Sequence, residues 1–272
     1  MTAHVIIVSF SRGDVYYYLN GKQNIRQGAV FMCDAIVTHG LTKRYKDKTA
    51  VNGVSFNVEE GKLVALLGVN GAGKTTSIRM LTCLSKPSDG TAEVFGHDVV
   101  KEADAVKHLV GISTQDTAVA ENLTVKENLE FMASLYLEKE RIAGAVSEAV
   151  KAFGLEEFVN KKAKHLSGGW KRKLSIAMAI IGEPKILFLD EPTLGLDVLA
   201  RRKLWTEIEA LKSRMTIVLT THYMEEAEAL ADRIFVMIDG RIAAEGTLNE
   251  LENRTGKKGL EEVFIKIAEE GK

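Results

Sequence analysis

A glycine-rich loop constrains the fold of this chain more than any other feature. GVNGAGKTT (68–76) matches the pattern G-x-x-x-x-G-K-[ST], follows the apolar run LVALL (63–67) and opens a helical pattern. Glycines let backbone N–H groups curl around phosphates, and the helix N-terminus adds a favourable dipole. The pattern therefore predicts a strand–loop–helix unit in which Lys74 reaches the β- and γ-phosphates and Thr75 places its hydroxyl on Mg²⁺. A glycine turn that precedes a helix by chance is the alternative.

Other apolar runs predict the sheet that contains this first strand. KILFLD (185–190) and MTIVLTT (215–221) are typical of buried strands, and RIFVMIDGRIAAEG predicts a hairpin that turns at Asp239-Gly240. Because helical patterns alternate with these strands, we predict an α/β fold with a parallel core.

Helical patterns predict an insert at about residues 120–181. Thr124 and Glu127 have capping-box spacing, and apolar residues at helical spacing follow them. The helix after the glycine loop, KTTSIRMLTCL, is expected to stop at KPSDG, where Pro87 cannot continue it.

Composition limits the class of protein. Lys and Arg total 36 against 37 Asp and Glu, a formal net charge of -1, so a strongly basic nucleic-acid binder is not indicated. No apolar run approaches the length that spans a bilayer, so any membrane role is expected to act through a partner. Cys33 and Cys83 form no metal or disulfide pattern, which favours a reduced, cytosolic setting.

The chain is predicted to have one main domain, residues 32–246, and a short helical C-terminal tail, residues 247–272. In residues 1–31 the apolar residues show no clear helical or strand period. They are either a mobile, disordered extension or a stretch upstream of a true start at Met32, and the second interpretation is favoured slightly.

Two adjacent acids in ILFLDEP lie at the carboxyl end of a predicted buried strand. Ligands of open α/β sheets bind at the carboxyl ends of such strands. We therefore expect Asp190 to hold Mg²⁺ through water and Glu191 to polarise an attacking water as general base. A solvated strand edge is the alternative, and the glycine loop upstream favours the functional interpretation.

In this order, GVNGAGKTT, HLSGGW and ILFLDEP resemble the motifs of the ATP-binding-cassette (ABC) ATPases over about residues 35–246. The resemblance implies an α/β P-loop NTPase core with a mainly parallel sheet, an antiparallel β subdomain and a helical insert that carries the LSGG signature. It also identifies residues 32–246 as an ABC ATPase domain.

The resemblance also implies roles for single residues. Tyr45 would stack on adenine, Gln115 would contact Mg²⁺, and His222 would contact the γ-phosphate, so that Glu191, His222 and Lys74 are the expected catalytic residues. The implied ATP contacts are Tyr45, Gly68, Asn70, Gly71, Ala72, Gly73, Lys74, Thr75, Thr76, Gln115, Ser167, Gly168 and Gly169. The implied Mg²⁺ residues are Thr75, Gln115 and Asp190, and Asp197 would lie in the dimer loop. A strand tyrosine, a loop glutamine and a structural histidine are the plain alternatives, whereas a helix cap at Asp197 is compatible with its dimer-loop role.

A single chain can surround only part of the γ-phosphate, and the signature motif explains how the ATP site is completed. A phosphoryl-transfer site must surround the γ-phosphate with donors, and the glycine loop covers only one side. In ABC ATPases the LSGG segment of a second subunit closes the other side. The resemblance therefore implies a two-fold dimer with ATP at its interface, and a homodimer needs no further assumption.

We therefore expect an ATP-binding and ATP-hydrolysing subunit of an ABC transporter that powers separate membrane permease subunits. It would be cytoplasmic, peripheral on the inner face of the cell membrane, with no nucleic-acid partner. LSGGW and the short C-terminal end resemble the exporter-type (ABC-2-like) ATPases most. A soluble relative that acts on nucleic acid or ribosomes is the rival, and a small-molecule kinase would leave LSGG unexplained.

Two features of the signature helix are unusual. Lys171, Arg172 and Lys173 oppose the dipole of its first turn. They either face the ATP of a partner chain or form a solvated basic face, and the sequence leaves both open. Trp170 is a departure, because the family most often has glutamine there.

Overall fold

The N-terminal unit of the chain, Met1–Cys33, contains short antiparallel strands. The computed structural model describes residues 6–9, 15–19, 22–24 and 34–270. In the first unit these residues form β1 (Ile6–Ser9), β2 (Val15–Leu19) and β3 (Lys22–Asn24). Met32 and much of the predicted extension lie outside the described residues, so both interpretations of residues 1–31 stay predictions.

The second unit, Asp34–Lys272, contains the predicted α/β elements. Its strands within residues 34–270 are β4 (Asp34–Tyr45), β5 (Lys48–Val54), β6 (Asn57–Glu59), β7 (Leu63–Leu67), β8 (Asp89–Val94), β9 (His97–Asp98), β10 (Val110–Ser113), β11 (Ile186–Asp190), β12 (Thr216–Thr221), β13 (Arg233–Ile238) and β14 (Arg241–Gly246). Its helices in the same range are α1 (Lys74–Leu81), α2 (Ala103–Leu109), α3 (Val125–Ser134), α4 (Lys139–Ala152), α5 (Gly168–Ile180), α6 (Val198–Leu211), α7 (Met224–Leu230), α8 (Leu248–Thr255) and α9 (Leu260–Glu270).

The main sheet has the strand order β10-β11-β12-β7-β13-β14. Neighbouring strands are parallel except for the β13–β14 hairpin, which turns at Asp239-Gly240 as predicted. Every residue of β7, β11 and β12 is buried, because helices cover both faces of a parallel sheet. The carboxyl ends of these strands therefore meet at one edge, which is where the predicted site residues follow.

A second, antiparallel sheet confirms the β subdomain. It has the order β5-β4-β8-β9, and β6 also pairs with β4. Phe56 packs against Phe235 of the main sheet with ring centroids 5.0 Å apart. Apolar residues from both sheets thus share one core.

The helical insert is built from α3, α4 and α5. Thr124 and Glu127 form the predicted capping box at the start of α3. Phe153, after the end of α4, is fully buried among apolar residues of the insert. The predicted fold class is confirmed, whereas the exact domain boundaries stay predictions. No helix in the described part of the chain is long and apolar enough to cross a membrane.

Helix α1 is shorter than the sequence predicts. It ends at Leu81, before the predicted stop at Pro87. Cys83 has a positive φ of 59°, which a continuing right-handed helix excludes. The Ser85 N–H donates to the Arg79 carbonyl at 2.9 Å and closes the helix end instead.

Candidate active site

The glycine loop connects β7 to α1 at the carboxyl edge of the main sheet. Gly73, the N-cap of α1, has a φ of 106°, and a Cβ there would lie 2.5 Å from the Ala50 carbonyl oxygen. A Cβ on Gly68 would collide with the Met237 carbonyl oxygen. Only glycine satisfies both constraints, since it has no side chain and tolerates positive φ. The neighbouring β5 and β13 thereby hold the loop at the start of the helix.

Lys74 is the first residue of α1, and its side chain is almost fully buried. Its Nζ donates to the Gly68 carbonyl at 2.7 Å and to the Val69 carbonyl at 3.3 Å. It also lies 3.1 Å from Oε1 of Glu191. The structure therefore brings the loop lysine and the predicted general base into direct contact.

The predicted Mg²⁺ side chains Thr75 and Asp190 also meet. Thr75 Oγ1 donates to Asp190 Oδ1 at 3.0 Å, across the space between α1 and the end of β11. A hydroxyl and a carboxylate are the hard oxygen ligands that Mg²⁺ prefers. No cluster of three or more His, Cys, Asp or Glu able to hold a metal occurs within the described residues. This donor set fits a Mg²⁺ ion that takes its remaining ligands from phosphates and water, as is usual in nucleotide sites.

Glu191 is buried between Lys74 and His222. Its Oε2 lies 2.8 Å from His222 Nδ1, so one carboxylate contacts both of the other predicted catalytic residues. Its φ of 50° is in the left-handed region, which glutamate rarely adopts. This turn directs the Glu191 side chain toward the glycine loop immediately after the strand ends.

Gln115 lies at the carboxyl edge of the main sheet, whereas Tyr45 lies at the end of a strand of the antiparallel sheet. Ser113 of β10 pairs in register with Leu189 of β11, so Gln115 and Glu191 each lie two residues beyond that pair, at the same edge. Tyr45 ends β4 and is 46% exposed, with Lys43 Nζ 5.1 Å from its ring centroid. Both residues are accessible, and their roles stay predictions.

The signature residues lie at the exposed start of α5. Ser167 is the N-cap and makes no side-chain capping bond. Gly168 is exposed, and a Cβ there would meet no atom within 4 Å. A Cβ on Gly169 would touch only Leu196, at 3.5 Å. These glycines are therefore not required by packing inside this chain.

The three cations of α5 all bond to groups of their own chain, which contradicts the solvated basic face that was one alternative. Arg172 is buried and donates to the carbonyl oxygens of Thr114 and Gln115, at 2.6 and 2.5 Å. Burial lowers the pKa of its guanidinium, and the charge of Asp190 opposes that shift. Arg172 thus ties the signature helix to the segment that carries Gln115, a link that sequence reasoning missed.

The flanking lysines also have partners within the chain. Lys171 pairs with Glu121 at 2.6 Å, and the buried Lys173 pairs with Glu207 of α6. Burial raises the pKa of Glu207, and the bond from Lys173 opposes it. The cations therefore do not form a solvated basic face, and their approach to the ATP of a partner chain stays a prediction. The conflict with the helix dipole was the one sequence signal of these tertiary contacts.

Trp170 packs inside the helical insert. Its ring centroid is 4.4 Å from that of Phe158, and Lys173 and Lys203 lie over its face at 5.0 and 5.8 Å. The indole is therefore held by contacts within the chain.

Asp197 immediately precedes α6, and Glu226 lies on α7 and contacts a side chain of α6. Asp197 caps α6 and accepts from the N–H groups of Leu199 and Ala200 at 2.9 Å, a role that is compatible with its predicted place in the dimer loop. Glu226 of α7 is fully buried and accepts from Trp205 Nε1 at 3.0 Å. Burial raises the pKa of Glu226, and the nearby Glu191 carboxylate raises it further. Sequence reasoning missed Glu226, because its burial depends on the packing of α6 on α7.

The fold and these contacts define a nucleotide-binding cassette of the P-loop type. The chain belongs to the ABC transporter family, whose model matches residues 51–194. The daunorubicin resistance ATP-binding protein DrrA3 of Streptomyces coeruleorubidus is 42% identical over 239 residues, covering 87% of this chain and 76% of that protein. The phospholipid-transporting ATPase ABCA3 of Homo sapiens is 41% identical over 212 residues, 78% of this chain and 12% of that protein.

Solved structures agree with this assignment. An ATP-binding subunit of an ABC transporter superposes with a TM-score of 0.78 at 28% identity, covering 86% of this chain and 99% of that one. A dimeric ATP-binding cassette in a post-hydrolysis state, bound to ADP and Pi, has a TM-score of 0.72 at 28% identity, covering 78% and 98%. The chain is thus an ATP-binding and ATP-hydrolysing ABC transporter subunit, and the predicted family, its exporter-type resemblance, fold and ATPase activity are confirmed.

Proposed function

We propose that two copies of this chain close on two ATP molecules with bound Mg²⁺, and that the cycle drives export through separate membrane permease subunits. The observation that carries the proposal is the exposed start of α5, where Ser167 and Gly168 have no packing role in their own chain. Free N–H groups at a helix start donate to anions, and small residues allow close approach. In the dimer they would complete the donor shell around the γ-phosphate of the partner's ATP.

Each site would combine residues of both chains. Thr75 and Asp190 would hold Mg²⁺, which supplies charge neutralisation at the phosphates when bound. Lys74 would bind the β- and γ-phosphates, exchanging its contact with Glu191 for them. Glu191 would accept the proton of the attacking water, and His222 would contact the γ-phosphate while it orients the Glu191 carboxylate.

The remaining contacts are proposed from the family resemblance. Tyr45 would stack on adenine, Gln115 would reach the metal, and the loop ending at Asp197 would cross the interface. The other loop contacts to ATP would come from Gly68, Asn70, Gly71, Ala72, Gly73, Thr76 and the partner's Gly169. The drug-resistance and phospholipid-transport names of the relatives support export of a lipophilic substrate from a cytoplasmic, membrane-peripheral position.

The dimer is tested first with Glu191→Gln. We expect this variant to elute as a dimer with ATP and Mg²⁺ in size-exclusion chromatography, because hydrolysis no longer removes the bridging phosphate. Lys74→Ala, the matched control, should stay monomeric and lose at least about 100-fold of ATP turnover. A monomeric Glu191→Gln protein with bound ATP would contradict the proposal.

Sharing of each site between chains is tested by mixing inactive variants. Ser167→Arg and Lys74→Ala subunits together form heterodimers with one doubly damaged site and one intact site. With equal amounts of the two variants and random pairing, up to about a quarter of all sites would be intact. Activity that stays at the sum of the separate variants would show that each chain works alone.

A further inference from the structure

Thr220 is a fully buried hydroxyl in contact with both carboxylate residues of the site. It is paired in register with Asp190, on the strand next to β11, and it is 0% exposed. No role follows for it from the glycine loop, the signature or the acidic pair. It precedes His222 by two residues, so it lies in the same segment as a predicted catalytic side chain.

The Thr220 hydroxyl makes one bond to each carboxylate residue. Its Oγ1 donates to Asp190 Oδ1 at 2.6 Å and accepts the Glu191 backbone N–H at 3.1 Å. A hydroxyl has one proton, so donation to the carboxylate leaves its lone pairs for the amide. Valine has the same shape and can make neither bond.

Each bond fixes a different part of the site. Asp190 Oδ1 accepts from Thr75 as well as Thr220, so two hydroxyls orient the carboxylate plane. The Glu191 N–H donates to both the hydroxyl and the carbonyl oxygen of Thr220, each at 3.1 Å, and these bonds hold the peptide at the left-handed turn. Lys74 and His222 contact the side chain of Glu191, so the peptide is held separately from them.

We propose that Thr220 is a positioning residue for ATP hydrolysis, whose hydroxyl orients the Asp190 carboxylate toward the metal and fixes the turn that aims Glu191 at the attacking water. The inference rests on the proposed roles of Asp190 and Glu191. Residues that orient metal-binding carboxylates typically change affinity or activity about 10- to 100-fold when removed.

Thr216 is the matched control on the same strand. It is also fully buried, on the same face, four residues or about 13 Å earlier. Its Oγ1 accepts the Gly61 N–H at 2.9 Å, far from the carboxylates. Thr216→Val therefore removes a buried hydroxyl and its bond to backbone without touching the site.

The experiment compares Thr220→Val, Thr220→Ser and Thr216→Val. We expect Thr220→Val to lower kcat about tenfold or more with a smaller change in KM, and Thr220→Ser to stay within about threefold of wild type. A second readout is independent of turnover: calorimetric binding of a non-hydrolysed ATP analogue, with and without Mg²⁺. Thr220→Val should lose most of the affinity that Mg²⁺ adds, whereas Thr216→Val should keep both kcat and the Mg²⁺ effect within about twofold.

Two results separate this inference from the proposed function. If Thr220→Val matches Thr216→Val in kcat and Mg²⁺ effect while Glu191→Gln is inactive, the positioning role is overturned and the proposed function stands. Full turnover by Glu191→Gln would overturn both. Thermal unfolding identifies a variant that fails to fold, and Thr220→Ala then replaces Thr220→Val, with the same expected loss.

Discussion

Replacing Trp170 by glutamine, the residue usual in the family, should weaken the fold more than it weakens catalysis. The indole packs on Phe158 at 4.4 Å between ring centroids and lies under Lys173 and Lys203. The proposed phosphate contacts come instead from Ser167 and the backbone of the glycines. Trp170→Gln removes the ring and leaves those groups unchanged.

The expected magnitudes follow from these contacts. The Trp170–Phe158 pair contributes about 1 kcal/mol beyond burial, and each cation–π contact at least about 0.5 kcal/mol. With the lost burial of the ring added, the free energy of unfolding should therefore fall by at least about 2 kcal/mol. Turnover should stay within about tenfold, a barrier change of roughly 1.4 kcal/mol.

Urea denaturation followed by far-UV circular dichroism measures the stability change, and ATPase assays at a temperature where every variant is folded measure turnover. Trp170→Phe is the control, because it keeps an aromatic ring on Phe158 and should lose about half as much. A folded Trp170→Gln protein with no turnover would refute the reasoning and assign the indole to the site. Unchanged stability would refute the packing account.

Two further predictions concern Gly168 and Glu226. Gly168→Ala should leave monomer stability equal or up to about 1 kcal/mol higher, yet abolish the ATP-dependent dimer in the Glu191→Gln background; a normal dimer by size-exclusion chromatography would contradict this. Glu226 keeps its proton to higher pH in the folded protein than in the unfolded chain, because burial raises its pKa above the ordinary 4.5. Its contribution to stability is therefore present below that value and lost as pH rises through the folded pKa. As the pH rises from 4.5 through the folded pKa, Glu226→Gln should become increasingly more stable than wild type. Denaturation at several pH values measures this difference in the free energy of unfolding, and a difference that stays constant with pH would contradict the prediction.

The elements at the site are those that local patterns specify best. LVALL and ILFLD are short apolar runs bounded by turn residues, and both form buried parallel strands with the site residues at or just after their carboxyl ends. The capping box at Thr124 needs only four consecutive residues, and it forms as predicted. Where a short motif determines its own backbone conformation, the sequence is sufficient to predict the structure.

Contacts between distant segments could not be predicted in this way. Arg172 bonds to carbonyl groups 57 and 58 positions earlier, and Thr220 reaches carboxylate residues 29 and 30 positions before it. Which residues meet in these contacts depends on how strands pair and helices pack. The local hydrophobic pattern of a segment does not determine either. The early end of α1 has the same origin, since it depends on the left-handed conformation of Cys83.

Helix α6 connects segments that serve different phosphates in the proposed dimer. Asp197 caps its first turn, Glu207 pairs with Lys173 on the signature helix, and Trp205 bonds to Glu226 on the helix after the histidine segment. Packed helices move largely as rigid bodies, so a tilt of α6 displaces both neighbours together. A rearrangement imposed by the partner chain on the loop before α6 would then reach the chain's own ATP and its neighbour's ATP in the same motion. In each chain, a single helix of fourteen residues would thus couple the two ATP sites of the proposed dimer.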